Sequence, residues 1–186
     1  MSGDIRIRQI ESVALEAALP RLAEILQDCV GHGASVGFMA ANTPADYAAY
    51  WRAIAAEVDA GRILLFVAET EDGIVGTAQL HPIAKPNQPH RAEIAKVLVH
   101  SRARRRGIGE ALMRAAEQAA VRLGRDLLVL DTDEKGAARR LYHRLGWTEI
   151  GTIPRYALMP DGSDCGSTFF YKQLGAEAQP SPAPRT

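Results

Sequence analysis

The sequence predicts a single α/β domain, a mixed sheet flanked by helices. Three observations carry that expectation. Strand-like apolar runs alternate with helical patterns through the second half of the chain, as they do where strands and helices pack in layers. Asp72-Gly73, between two apolar runs, signals an antiparallel hairpin. A third apolar run, residues 94–99, leads through Arg104-Arg105-Arg106-Gly107-Ile108-Gly109 into a strongly helical segment. At 186 residues, 47% of them apolar, the chain can bury a substantial core without disulfides or a metal.

Taken in order, residues 5–10 alternate apolar and polar as an edge strand does, and residues 15–30 follow a helical pattern. Pro20 is compatible with that helix only near its first turn, and Gly31-His32-Gly33 stops it. Thr43-Pro44-Ala45-Asp46 announces a second helix, with a cap residue, a proline at the first helical position and an acid in the first turn; Gly61 ends it. Residues 63–68 and 74–80 form the hairpin strands. A loop marked by Pro82, Pro86, Asn87 and Pro89 precedes the strand 92–99. A helix over 108–123, a strand over 127–130, a helix over 136–145 and strands over 147–153 and 168–174 complete the domain, which spans residues 4–174. The first strand and the last are the two edges at which a dimer could form. From Gly175 the residues are mostly Ala, Glu, Gln, Pro and Ser, a composition that predicts a disordered tail over 175–186.

Lysine plus arginine equals aspartate plus glutamate at 22 each, so nothing in the total charge attracts nucleic acid or an anionic membrane. The cluster Arg102, Arg104, Arg105 and Arg106 is local and lacks the interleaved aromatics of a base-stacking platform. Cys29 and Cys165 stand far apart without metal-ligand spacing, which argues against a disulfide framework or a metal site. No apolar run approaches membrane-spanning length, and a cytoplasmic protein is expected.

The arginine and glycine turn between a strand and a helix has the makings of a phosphate cradle. Glycines admit a bulky anion, N–H groups at the helix start point at it, and arginines add charged donors. A Walker turn would need a Gly-Lys-Ser/Thr ending, and a dinucleotide turn a small residue where Leu112 stands; neither is present. Arg-x-x-Gly-x-Gly after a strand resembles the pyrophosphate-binding turn of the GNAT family of N-acetyltransferases, which hold acetyl-coenzyme A there. Ala138-Arg139-Arg140-Leu141-Tyr142 with Leu145-Gly146-Trp147 is similar to that family's late helix and the strand entry after it. The resemblance covers residues 4–174 and implies a mostly antiparallel mixed sheet. Lys135 stands where many members carry an asparagine. Gly31-His32-Gly33-Ala34-Ser35-Val36-Gly37-Phe38-Met39, Leu130-Asp131-Thr132 and Arg155-Tyr156-Ala157 before Pro160-Asp161-Gly162 look like the tabtoxin-resistance acetyltransferase branch, whose acceptor is the amino group of a small amino-acid-like toxin.

The resemblance implies roles for particular residues. Backbone groups of Val97, Leu98 and Val99 would pair with the pantetheine arm of acetyl-CoA, with the Leu98 N–H facing the developing oxyanion. Arg104, Arg105, Arg106, Gly107, Ile108 and Gly109 would hold the pyrophosphate, and the Tyr142 hydroxyl would face the sulfur and return its proton. Regular alternation would put Glu93, Ala95, Val97 and Val99 on one face of the strand, with Ile94, Lys96 and Leu98 on the other. An alkylammonium acceptor titrates at about 10 and must lose a proton before attack. Glu93 and Asp131 are the carboxylates available as base. Asp131 equally suits a helix cap, Glu93 an exposed acid at a strand start, and Tyr142 a core aromatic. His32, Ser35, Phe38, Asp131 and Tyr156 are the candidates for acceptor recognition, with His32 also readable as a simple helix stop. No serine or cysteine stands in a nucleophile pattern, so direct attack in a ternary complex is expected, with a small primary amine as acceptor. A protein N-terminus or lysine as acceptor, and a non-catalytic acetyl-CoA-binding module, are the competing readings.

Overall fold

The computed structural model describes residues 4–175. The tail expected over 175–186 therefore lies, apart from Gly175, outside the described residues. Seven strands and four helices follow in the order β1 (Arg6–Ile10), α1 (Ser12–Gly31), α2 (Pro44–Asp59), β2 (Leu64–Thr70), β3 (Gly73–Pro82), β4 (Arg91–Val99), α3 (Ile108–Arg122), β5 (Leu127–Asp133), α4 (Ala138–Arg144), β6 (Thr148–Leu158) and β7 (Asp164–Gln173). They build one sheet of order β1-β2-β3-β4-β5-β7-β6. Every neighbouring pair is antiparallel except β4 and β5. The mixed, mostly antiparallel sheet expected from the sequence is the one observed.

Local signals explain several boundaries. Thr43 and Asp46 form a reciprocal capping box, the Asp46 carboxylate accepting from the Thr43 N–H at 2.7 Å, and Pro44 opens α2. Gly73 turns the hairpin with φ 88°. Pro20 departs from expectation: α1 begins at Ser12, which leaves the proline in the helix interior. Its missing N–H is offset by burial, since Leu15, Leu22, Ile25 and Leu26 on the same helix are 0% exposed.

The sheet is covered on both sides. Leu112, Met113 and Ala116 of α3 pack with Leu128, Leu130 and Phe170 on one face. Leu22 and Ile25 of α1 pack with Trp51 of α2 and with Leu65 and Val67 on the other. Glu117 of α3 is a buried polar tie on the first face: it accepts from the Trp147 indole at 2.9 Å and from the Lys172 amine at 2.8 Å. Lys172 also donates to the Leu145 carbonyl at 2.8 Å. One carboxylate thus joins α3, β7 and the turn after α4.

Three further corrections concern the strands. The final strand, β7, is inserted between β5 and β6, so the edges are β1 and β6. β6 continues past Pro154 to Leu158 because a bulge between Ile153 and Ala157 absorbs the proline, with Arg155 at φ 53°. The expected alternation of β4 is broken as well. Gln79 pairs with Ala95 but Thr77 with Leu98, and Lys96 sits in the resulting bulge at φ 49°. Ile94 consequently packs under α3 together with Val97 and Val99, while Leu98 packs under α1 and α2. A one-residue insertion exchanges the faces of a strand, which sequence alternation does not reveal.

β4 and β5 are hydrogen-bonded only over Arg91–Glu93 and Leu127–Val129. Beyond Glu93 they diverge, and the sheet opens into a wedge at the C-terminal ends of its two parallel strands, where ligands of such sheets bind. Gly76 guards the wall of this wedge: a Cβ there would lie 2.9 Å from the Leu98 carbonyl oxygen, 3.1 Å from Ile108 and 3.2 Å from Leu112. Gly76→Ala is expected to lower the melting temperature by a few degrees, through overpacking of about 1–3 kcal/mol, and to weaken ligand binding along β4. Calorimetry with and without acetyl-CoA measures both effects.

Candidate active site

A cleft of ≈ 890 Å³ fills the wedge between β4 and β5. One end is the arginine and glycine turn. Arg105 and Gly107 both take left-handed conformations, φ 66° and 79°, and these reverse the chain into α3. The N–H groups of Ile108, Gly109 and Glu110 then have no backbone acceptor among the described residues and face the cleft end. Arg104 folds back to donate to the Val99 carbonyl at 3.1 Å. Asp28 of α1 anchors the turn's approach by accepting from both the N–H and the hydroxyl of Ser101, each at 2.7 Å. Gly109 is closely packed too: a Cβ there would lie 3.2 Å from the Leu141 side chain. Arg104, Arg105, Gly107, Ile108 and Gly109 line the cleft, whereas Arg106 does not.

Val97, Leu98 and Val99 form the side wall, and Glu93, Asp131 and Tyr142 meet at the other end. Glu93 pairs in register with Val129, two residues before Asp131, so the parallel pairing of β4 and β5 puts the two acids near the point where the strands part. Asp131 accepts from the Ser167 hydroxyl at 2.5 Å. It is not a helix cap: α4 opens after Ala137 with no side-chain cap, and the turn before it is tied by Asp133, whose carboxylate accepts from the Lys135 N–H at 2.7 Å. Tyr142 is 5% exposed and packs against Phe170 and Trp147, with ring centroids 5.5 and 6.1 Å away. Its hydroxyl has no hydrogen-bond partner among the described residues. Burial pushes the phenol well above its ordinary range, and the nearby Asp131 charge adds to the shift. Such a phenol stays protonated as a donor but is a weaker acid than an exposed tyrosine.

The acceptor candidates divide. His32, Ser35 and Tyr156 line the cleft, and Phe38 does not. Phe38 packs instead on Tyr47 and Tyr50 at 5.1 and 5.5 Å. The His32 ring meets the Asp28 carbonyl at 2.7 Å at the end of α1. Ser35 donates its hydroxyl to the Leu158 carbonyl at 2.8 Å, and the Ala40 N–H reaches the Pro160 carbonyl at 2.9 Å. Those two bonds tie the segment after α1 to the end of β6, and Ser35 on one side and Tyr156 and Ala157 on the other line the cleft. Sequence reasoning missed Lys96 as a site residue, because regular alternation gave no sign of the bulge that carries it into the wall. It missed Ser167 too, whose partner Asp131 belongs to a different strand.

A family model described as "Acetyltransferase (GNAT) family" matches residues 19–147. The chain belongs to the GNAT acetyltransferase family. Solved structures agree in fold. The yncA protein of Salmonella typhimurium, solved with acetyl-CoA as its cofactor, is 24% identical over 96% of this chain and 98% of its own, with a TM-score of 0.74. A ribosomal-protein-alanine N-acetyltransferase from Brucella melitensis is 26% identical, covering 91% and 99% at a TM-score of 0.73. An N-acetyltransferase from Staphylococcus aureus Mu50 is 20% identical, covering 92% and 99% at 0.74. This GNAT chain is an acyltransferase, an N-acetyltransferase that depends on acetyl-CoA as co-substrate. No group of three or more His, Cys, Asp or Glu side chains suited to a metal ion occurs among the described residues, and no described helix is long and apolar enough to cross a membrane.

Proposed function

We propose that this GNAT enzyme acetylates a primary amine of a small molecule in the cytoplasm, a toxin or antibiotic of the kind handled by the tabtoxin-resistance branch being the class to screen first. The observation that carries the reading is the pair of bonds from Ser35 and Ala40 to Leu158 and Pro160, which ties together two segments that both line the cleft. A cleft whose flanking segments are tied to each other suits a compact acceptor better than an extended polypeptide, the competing substrate.

In this reading Asp131 or Glu93 takes the proton of the acceptor ammonium, and the freed amine attacks the thioester directly. The Leu98 N–H faces the developing oxyanion. Tyr142, kept protonated by burial, donates its hydroxyl to the departing sulfur. The turn over residues 104–109 holds the pyrophosphate on the free N–H groups that open α3. His32, Ser35 and Tyr156 border the acceptor, and Arg106 and Phe38 act from outside the cleft wall.

Acetyl-CoA at saturation is expected to raise the melting temperature by about 5 °C or more, and a Gly107→Glu, Gly109→Glu double variant to lose the shift. Thiol release across a panel of amino acids, polyamines, aminoglycosides and N-terminal peptides then separates the acceptor classes. Turnover with small amines alone supports the reading. Turnover confined to peptides would overturn the small-molecule assignment, and a shift without turnover on any amine would favour a binding module.

A further inference from the structure

Lysines are scarce, and three of the four have plain surroundings. Lys172 is held by Glu117, Lys85 is exposed in a loop, and Lys135 is exposed at the cleft rim, 4.0 Å from Glu134. Lys96 differs from all of them. It lies half-buried in the cleft wall, and among the described residues its amine has neither a hydrogen bond nor an ion pair. The amine stands 5.6 Å from the centre of the Tyr50 ring. The base of the side chain is fixed, because the bulge holds φ at 49° and the Lys96 carbonyl accepts from the Thr77 hydroxyl at 3.0 Å. Val97 and Leu98, the backbone proposed to carry the thioester, follow directly in the chain.

The groups facing this amine are Glu93 on its own strand, Asp131 on β5, His81 on β3 and Tyr50 on α2. Desolvation lowers the amine below the ordinary lysine range, with Asp131 and Glu93 opposing that effect. A larger share of it is therefore neutral at a given pH than in an exposed lysine. An amine withdrawn from solvent, free of an ion pair and flanked by two carboxylates is chemically what the enzyme requires of an acceptor.

We propose that Lys96 is itself an acetyl acceptor, and that the enzyme modifies its own cleft when acetyl-CoA is bound without an acceptor amine. The proposal rests on the acceptor end lying at Glu93 and Asp131. The Nζ lone pair of neutral Lys96 attacks the thioester carbonyl carbon; a C–N bond forms, the C–S bond breaks, and coenzyme A leaves as the thiolate. The proton lost from nitrogen passes through a carboxylate to the sulfur. The products are Nε-acetyl-lysine and free coenzyme A, with the cationic charge of Lys96 removed from the site.

The full chain is incubated with acetyl-CoA and no amine, then digested and mapped by mass spectrometry, with Lys85 reporting uncatalysed acetylation and Lys135 reporting reaction at the cleft rim. Lys96 is expected to gain one acetyl group at least about tenfold faster than either, since a cleft-held donor has a high effective concentration. The Gly107→Glu, Gly109→Glu variant should lose that advantage, and prior acetylation should lower turnover on an added amine. Lys96 remaining unmodified, or reacting no faster than Lys85, would overturn the proposal. If acetyl-CoA still raises the melting temperature and an amine still releases thiol, only self-acetylation falls. If acetyl-CoA gives no shift, the function reading and this proposal fall together.

Discussion

Asp131→Asn is expected to lower kcat for amine acetylation by about 100-fold or more, the scale of a lost general base, while acetyl-CoA still stabilises the variant as it does the wild type. The substitution isolates basicity from geometry. The amide would keep a side-chain oxygen where the Ser167 hydroxyl donates, 2.5 Å from the present carboxylate. Asp131 is also exposed to the open cleft, so little folding energy rides on its charge. What disappears is a proton acceptor at the mouth shared with Glu93. Single-turnover kinetics on the best amine, beside Glu93→Gln, divides the role between them. Undiminished turnover in Asp131→Asn with loss in Glu93→Gln would move the base to β4, and undiminished turnover in both would remove general-base chemistry from these acids.

Glu117→Ala should damage the fold strongly although it lies away from the cleft. The side chain is 9% exposed and accepts from both Trp147 and Lys172. Its removal leaves a buried indole N–H without a partner and a half-buried ammonium without its counter-charge, a loss of about 3 kcal/mol. For a chain of this size that lowers the melting temperature by about 6–12 °C. Glu117→Gln keeps an acceptor for the indole and loses only the ion pair, so it should fall between wild type and alanine. Urea unfolding with an unchanged slope measures the difference. Equal stability of all three proteins would show the tie to be dispensable. Because Glu117 connects the helix that opens with the arginine and glycine turn to the segment after Tyr142, loosening it should also weaken acetyl-CoA binding if that turn holds the pyrophosphate as proposed.

The sequence alone determined what depends on near neighbours. Thr43 and Asp46 are three residues apart and cap one helix; Asp72-Gly73 turns one hairpin; residues 104–109 follow a strand and open a helix. Each is set by local backbone preferences and local hydrogen bonds, and each stands where the pattern put it. The Arg-x-x-Gly-x-Gly turn and the Tyr142 helix were enough to indicate the family, because each motif lies in a short run of residues.

Only the tertiary structure decided what depends on pairing across the sheet. β7 enters between β5 and β6, and Asp131 gains Ser167 as a partner, through contacts between distant segments. Phe38 packs outside the cleft lining, partly buried against Tyr47 and Tyr50 of α2. The β4 bulge turns Lys96 into the wall and Leu98 to the opposite core, a face exchange visible only from the register with β3. Alternation in a sequence assumes an unbroken ladder, and one inserted residue with left-handed backbone cancels that assumption. The acid pair, the lysine in the wall and the tie between the segment after α1 and the end of β6 are therefore properties of the folded sheet, while the arginine and glycine turn is a property of the chain.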